Sequence, residues 1–200
     1  INGHDIITEP QKYIDRNTGI EFLIPGLGPT NIPVYLTLLT SMFMHGSWAH
    51  LGGNMLYLWI FGDNIENRLG HKRYIIFYLL TGLIASLSHV FSTVVSTQNS
   101  LVPSLGASGA ISGVLGAYLM LFPSRKVKMF VFRGIIDVPS YVALGFWIVL
   151  QVVSGLGLLG GGTGGGVAYA AHIGGFIAGL LLIKFFDPLK KNKLEKRFAG

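Results

Sequence analysis

Long apolar stretches divide this chain into five candidate membrane-spanning helices, because about 20 predominantly apolar residues are needed to cross the hydrocarbon core of a bilayer. The first and third stretches are short and carry polar residues, which we expect to point into a helical bundle where they find partners. The stretches are residues 48–62, with 35–43 leading into it, and residues 74–95, 106–122, 138–156 and 167–186. The pattern predicts an all-α, polytopic transmembrane helical bundle.

The composition agrees with an integral membrane protein. Hydrophobic residues make up 50% of the chain and charged residues only 12%, whereas soluble domains carry about 25% charged residues. We expect one membrane domain at residues 41–187, preceded by an outer loop segment at 1–40 and followed by a basic cytoplasmic tail at 188–200. The chain begins with Ile1, and an odd number of spans predicts that a first span is missing upstream of it. The absence of cysteine excludes disulfides and thiolate metal sites.

Basic residues are confined to alternate connections between the predicted spans. The connections at 96–105 and 154–166 carry no Lys or Arg, so the positive-inside rule places them outside and the C-terminus in the cytoplasm. We interpret the net charge of +6 as topology-setting and expect no nucleic-acid partner. Glycine dominates 155–166 and predicts a mobile loop, either a slack linker or a gate. The basic residues are Arg68, Lys72 and Arg73; Arg125, Lys126, Lys128 and Arg133; and Lys190, Lys191, Lys193, Lys196 and Arg197.

A serine with glycines close on both sides lies at the start of the third predicted span. Ser108 lies in Gly106-Ala107-Ser108-Gly109, where free backbone N–H groups at a helix N-terminus favour developing negative charge. This pattern fits a nucleophile, and it also fits a simple N-cap followed by a packing face around Gly113. Ser112 offers a similar hydroxyl, so the pattern alone leaves both serines as candidates.

A histidine opens the fifth predicted span in a similar setting. Gly175 and Gly179 are three and seven residues after His172 and lie on its helix face, where they form a small-residue packing surface. Packing this surface on the Gly109 and Gly113 face would bring His172 within hydrogen-bond reach of Ser108, as a serine nucleophile requires. No Asp or Glu lies in the spans, so we predict a dyad; the alternative is a histidine that only binds a neighbouring helix.

A third group of polar residues surrounds the start of the first predicted span. His50 and Asn54 are four residues apart and share a helix face, so their N–H groups could stabilise an oxyanion together. They could instead be hydrogen-bonding residues between helices. A metal site formed by His45, His50 and His172 is a further alternative, although no acidic residue in the spans completes it.

Together these segments resemble the rhomboid family of intramembrane serine proteases, most closely its bacterial members, over about residues 38–187. The resemblance implies that Ser108 is the nucleophile, His172 the general base, and His50 and Asn54 oxyanion donors together with the Ser108 N–H. The family core has six spans, and the five here correspond to its second through sixth. The segment 62–70 looks like the family's turn between its second and third helices. Ser112 replaces an aromatic residue that some members carry, and Leu36-Thr37 replaces Trp-Arg.

The function implied by this resemblance is intramembrane serine endopeptidase activity. Its substrates would be single-span transmembrane proteins, cut near the outer face of a lipid bilayer, here the bacterial inner membrane. No cofactor and no metal is implied, and the oligomeric state is left open. Two alternatives remain: a catalytically inactive rhomboid-like protein that binds transmembrane helices, and a histidine-lined metal transporter.

Overall fold

The structure is a computed structural model that describes residues 9–14, 21–24, 32–96, 104–131, 134–157 and 168–188. Its contacts divide the chain into two units, residues 1–37 and 38–200. In the first unit, β1 (Gln11–Ile14) pairs with β2 (Glu21–Ile24) as an antiparallel hairpin. An exposed ion pair between Lys12 and Glu21, at 3.8 Å, joins the two strands.

Each predicted apolar stretch contains a helix. Two helical segments, His71–Val95 and Tyr169–Phe186, are long and apolar enough to cross a membrane, whereas Val34–Phe43, Ser108–Leu121 and Ser140–Gly155 are shorter apolar helices. The count of five spans therefore stays a prediction. The elements are α1 (Val34–Thr40), a 3-10 turn (Ser41–Phe43), α2 (Trp48–Tyr57), a π-helical turn (Leu58–Gly62), α3 (Asp63–Leu69), α4 (His71–Ser96), α5 (Ser108–Leu121), α6 (Ser140–Gly155) and α7 (Tyr169–Phe186).

Local sequence signals fix several helix ends. The hydroxyl of Ser47 accepts a hydrogen bond from the His50 backbone N–H at 3.1 Å and caps α2, as serine does at many helix N-termini. Gly70 ends α3 with φ +80°, and its N–H donates to the Glu66 carbonyl at 2.7 Å. Only glycine adopts such a backbone conformation readily, so α4 can begin at once in a new direction.

Helix α5 lies at the centre of the second unit. Every residue from Gly109 to Tyr118 is buried, and α5 packs against α4 and α7. The core around it includes Phe77 of α4, Leu115 of α5 and Ile183 of α7, all almost completely buried. A helix enclosed on all sides can carry small and polar residues in an apolar stretch, because its neighbours supply their partners.

The outward faces of the surrounding helices are apolar. Phe91 of α4 is 70% exposed, Phe146 of α6 56% and Phe185 of α7 83%. Soluble monomers rarely expose apolar patches of this extent, whereas the hydrocarbon core of a bilayer solvates them. The fold thus has the character of an integral membrane protein, as the composition indicates.

A second hairpin lies between α5 and α6 and makes the all-α prediction incomplete. Strand β3 (Lys126–Val131) pairs antiparallel with β4 (Gly134–Pro139), with Val127 opposite Val138. The predicted span at 138–156 is therefore wrong at its start, because Val138 and Pro139 end a strand and α6 begins at Ser140. Proline restricts the residue before it to extended conformations, which explains this boundary.

A buried ion pair joins α3 to the residue that follows α7. The Arg68 guanidinium donates two hydrogen bonds to the Asp187 carboxylate, from Nε at 2.9 Å and from Nη2 at 3.0 Å. The side chain of Asp187 is only 7% exposed. This hydrogen bonding raises the pKa of the Arg68 guanidinium, so the guanidinium stays positively charged. The turn at 62–70 thus contributes a contact between distant parts of the chain.

Candidate active site

The structure brings Ser108 and His172 together at the N-terminal ends of α5 and α7. Ser108 is the first residue of α5, and its Oγ lies 2.8 Å from Nε2 of His172. Both residues are partly buried. This distance allows the hydroxyl to donate its proton to the imidazole, the geometry that activates a serine nucleophile.

Two residues of α6, which the sequence analysis did not single out, contact the other sides of His172. Oε1 of Gln151 lies 2.7 Å from the imidazole Nδ1. The Trp147 ring packs beside the imidazole, with centroids 5.9 Å apart. Together they hold the imidazole ring from two sides. The signal that could have found them is their spacing, because residues four apart share a helix face.

His50 and Asn54 lie beside Gly106, two residues before the serine. A Cβ atom added at Gly106 would lie 2.7 Å from His50 Cε1 and Nε2 and 3.5 Å from Asn54 Nδ2. Gly106 also has φ +111°, a conformation that other residues rarely adopt. Glycine is therefore required here both for the backbone conformation and for the space in front of the two donors.

The amide nitrogen of Asn54 is a buried donor without a hydrogen-bond partner in the described part of the chain. An unpaired buried donor costs about 1–3 kcal/mol. Such a group is expected where a ligand atom arrives during function. Its position beside Gly106, two residues before Ser108 in the chain, fits a donor to an oxyanion.

The secondary candidates His45 and Ser112 do not reach the serine–histidine pair. The Ser112 hydroxyl donates to the Ser108 carbonyl oxygen at 2.6 Å, so it closes a turn of α5 instead of facing His172. The His45 ring packs edge-on against His50, with centroids 5.2 Å apart.

Both ring nitrogens of His172 are engaged by Ser108 and Gln151, so His172 does not join a histidine cluster. Among the described residues, no three His, Cys, Asp or Glu side chains are grouped to hold a metal.

The predicted glycine surfaces lie where α5 and α7 meet. A Cβ atom added at Gly175 would collide with the carbonyl oxygen of Gly109, and one at Gly179 with that of Gly113. The two backbones are thus as close as the small-residue pattern predicts. This close approach sets the separation of the helix ends that carry Ser108 and His172.

A small polar cavity adjoins Ser108. Its volume is about 20 Å³, and its lining includes Ser41, Ser86, Ser104 and Ser108. Such a cavity is large enough for one water molecule with several polar partners.

The glycine loop predicted at 155–166 lies outside the described residues from 158 onward, as do the basic tail residues after 188.

Comparison with known proteins gives one family for most of the chain. The Rhomboid domain matches residues 33–187. Rhomboid protein 1, mitochondrial, of Saccharomyces cerevisiae is 35% identical over 166 residues, 82% of this chain and 46% of the relative. Rhomboid protease GluP of Bacillus subtilis is 40% identical over 138 residues, 67% of this chain and 25% of the relative. Presenilin-associated rhomboid-like protein A, mitochondrial, of Danio rerio is 34% identical over 161 residues, 80% of this chain and 40% of the relative.

These relatives are bacterial and mitochondrial, so the comparison supports the family without singling out its bacterial members. The chain spans less than half the length of each of them. The shared region contains every residue of the serine–histidine site, since the matched domain covers 33–187.

Proposed function

The chain belongs to the rhomboid family, and from this membership we propose that it is an intramembrane serine endopeptidase that cleaves single-span transmembrane proteins. The observation that carries the proposal is the 2.8 Å contact between Ser108 Oγ and His172 Nε2 inside an apolar helical bundle. A hydroxyl and an imidazole are costly in such surroundings unless they are paired, and such pairs mark functional sites in membrane proteins.

In the proposed mechanism, Ser108 Oγ attacks the peptide carbonyl while His172 Nε2 accepts its proton. The tetrahedral oxyanion receives hydrogen bonds from His50, Asn54 and the Ser108 backbone N–H, each worth roughly 3–4 kcal/mol in comparable enzymes. His172 then donates the proton to the leaving amine, and an acyl ester on Ser108 remains. Water attacks this ester with His172 as the base and regenerates the serine.

The position of the site supports cleavage near one membrane surface. Ser108 and His172 lie at the N-terminal ends of their helices, and each follows a connection free of Lys and Arg. By the positive-inside rule this is the outer side, and the C-terminus is cytoplasmic. We propose the bacterial inner membrane as the location, and mitochondrial relatives make an organelle membrane the alternative to test.

The test is cleavage of a single-span substrate by the purified chain in lipid vesicles. We expect Ser108→Ala and His172→Ala each to abolish cleavage, and the double variant to be no worse, because the two residues act as one unit. Ser124→Ala, in an exposed turn, is the matched control and should cut at the wild-type rate. The products are identified by mass spectrometry.

The same assay separates the alternatives. Cleavage that survives Ser108→Ala would rule out this mechanism, and cleavage lost on chelation would favour a metal site. A wild-type chain that binds the substrate helix without cutting it would favour an inactive relative.

A further inference from the structure

The catalytic histidine has an uncharged partner on the side away from the serine. Oε1 of Gln151 lies 2.7 Å from His172 Nδ1, within ordinary hydrogen-bond distance. Serine proteases with a triad have a carboxylate at this position, but the predicted spans of this chain contain no Asp or Glu. The Gln151 amide therefore occupies the place that the carboxylate has in a catalytic triad.

From this contact we propose that Gln151 is a positioning residue that holds His172 in the tautomer from which it accepts the Ser108 proton; this rests on the proposed protease function. To act as base toward Ser108, Nε2 must present its lone pair, so the ring proton must lie on Nδ1. A neutral imidazole donates from one nitrogen and accepts at the other. The Gln151 carbonyl oxygen accepts only, so it selects the Nδ1–H tautomer.

The inward face of α6 makes this contact specific. Leu144, Trp147, Ile148 and Gln151 recur at helical spacing; Leu144 is 2% exposed, and Trp147 and Ile148 pack against the core. Trp147 packs beside the imidazole ring while Gln151 binds its edge. One helix thus restrains both the tilt and the rotation of His172.

The start of α6 is anchored independently. The Ser140 hydroxyl lies within hydrogen-bond distance of two carbonyl oxygens at the end of α5, those of Phe122 at 2.6 Å and Pro123 at 2.9 Å. This attachment fixes α6 relative to the helix that carries Ser108. The contact with α5 therefore fixes Gln151 in position relative to the helix that carries Ser108.

The apolar surroundings explain why an amide serves here. A carboxylate removed from water carries a large desolvation penalty, and it would need further hydrogen bonds beyond the imidazole. An amide oxygen fixes the tautomer without adding a charge to the membrane interior. It stabilises the imidazolium formed during catalysis less than a carboxylate does, so its main effect is on orientation.

The experiment compares three substitutions of Gln151 in the full chain. Gln151→Leu keeps a similar volume and removes the acceptor; Gln151→Asn keeps the amide but shortens it out of reach; Gln151→Glu retains an oxygen at the same distance. We expect kcat to fall roughly 10- to 100-fold in the Leu and Asn variants with KM within about twofold, because the lost hydrogen bond acts on the reacting base. Gln151→Glu should recover most of the rate, because a carboxyl group offers an acceptor oxygen to Nδ1–H even when burial keeps it protonated. Val149→Ala, on the exposed side of α6, is the control for changes in that helix.

Two further measurements distinguish positioning from folding. The rate at which an alkyl fluorophosphonate labels Ser108 should fall in parallel with kcat, because labelling needs the base but no transmembrane substrate. Nitrogen-15 NMR of labelled histidine, with His172 assigned by difference from His172→Ala, should show Nδ1–H in the wild type and mixed tautomers in the Leu and Asn variants. Wild-type kcat in those variants would overturn the proposal. So would equal losses in all three variants with the Nδ1–H tautomer retained.

The tautomer readout also separates this inference from the proposed function. It is recorded without substrate, so it does not depend on turnover. Suppose that the chain cuts no substrate, and that His172 carries its proton on Nδ1 only when residue 151 offers an acceptor. This result would contradict the protease function but not the positioning role of Gln151. A chain that cuts normally with a leucine at 151 would contradict the positioning role alone.

Discussion

At the scale of single residues, the unpaired amide of Asn54 is the sharpest test of the oxyanion site. Removing a buried polar group usually destabilises a protein because its partner is left unpaired. The Nδ2 atom of Asn54 has no such partner among the described residues, so its loss should affect catalysis and not folding. The two effects can be measured separately.

We expect Asn54→Ala to lower kcat by roughly a hundredfold, because one oxyanion donor is lost while the others remain. The midpoint of thermal unfolding in the same detergent should be unchanged or higher. Asn67→Ala, which alters an exposed asparagine of α3, is the matched control. Wild-type turnover with a lowered unfolding temperature would mean that Asn54 only joins helices.

Single residues differed in how far the sequence predicted them. The glycine-flanked pattern named Ser108 and His172, but it left Ser112 open until the structure gave its hydroxyl a partner, the Ser108 carbonyl. Gln151 belongs to no motif; its spacing from Trp147 places both residues on one face of α6, but nothing in the sequence marks that face as the inward one. Which face of α6 points inward depends on packing against α7, and residue spacing along α6 does not specify it.

At the scale of elements, the contact of α5 with α7 is the close packing on which the site depends. Gly179 lies two turns beyond His172, and a Cβ there would collide with the Gly113 carbonyl oxygen. We expect Gly179→Ala to lower stability by about 1–3 kcal/mol, as overpacking does, and to lower activity by moving α7. The measurement is thermal unfolding together with the cleavage rate.

The control for this change is another glycine within a helix. An added Cβ at Gly145 of α6 would meet no atom within 4 Å apart from its chain neighbours and its own helix backbone, so Gly145→Ala should be neutral or slightly stabilising. Equal unfolding temperatures for the two variants would mean that α5 and α7 do not depend on the small-residue contact.

Hydrophobic periodicity predicted the helices better than the connections between them. The apolar stretches each contain a helix, because a helix satisfies all the backbone hydrogen bonds of a segment within the membrane. The hairpin of β3 and β4 was missed because its lysines were interpreted only as topology-setting charges. The alternation of Lys126, Val127 and Lys128 is the period of a strand with one face packed, and Val127 is buried in the core.

At the scale of the whole molecule, apolar side chains face outward and the polar pair of Ser108 and His172 lies within the bundle. This arrangement is the reverse of that in a soluble protein. The composition predicted this membrane character. The pairing of Arg68 with Asp187, 119 residues apart, could not be predicted. An arginine and an aspartate in separate connections have many possible partners, and only the folded bundle selects one.

The proposed protease function also predicts a preference among substrates. A peptide bond within a regular helix is shielded, so a substrate span must unwind locally to reach Ser108. Unwinding in hydrocarbon leaves backbone groups unpaired, at several kcal/mol each. Residues with poor helix propensity reduce this cost, glycine by about 1 kcal/mol and proline by about 3 relative to alanine.

We therefore expect cleavage near the outer end of the substrate span, where the charge-free connections lie, with small residues at the cut. Substrates with glycine or proline close to that end should be cut faster than the same span with leucine at those positions. The measurement is the initial rate for such a substrate pair at equal enzyme concentration, with the cut mapped by mass spectrometry and Ser108→Ala as the blank. A uniform polyleucine span cut equally fast would show that unwinding does not limit the reaction. A cut at the cytoplasmic end would contradict the proposed orientation, because Ser108 and His172 would then open to the opposite surface.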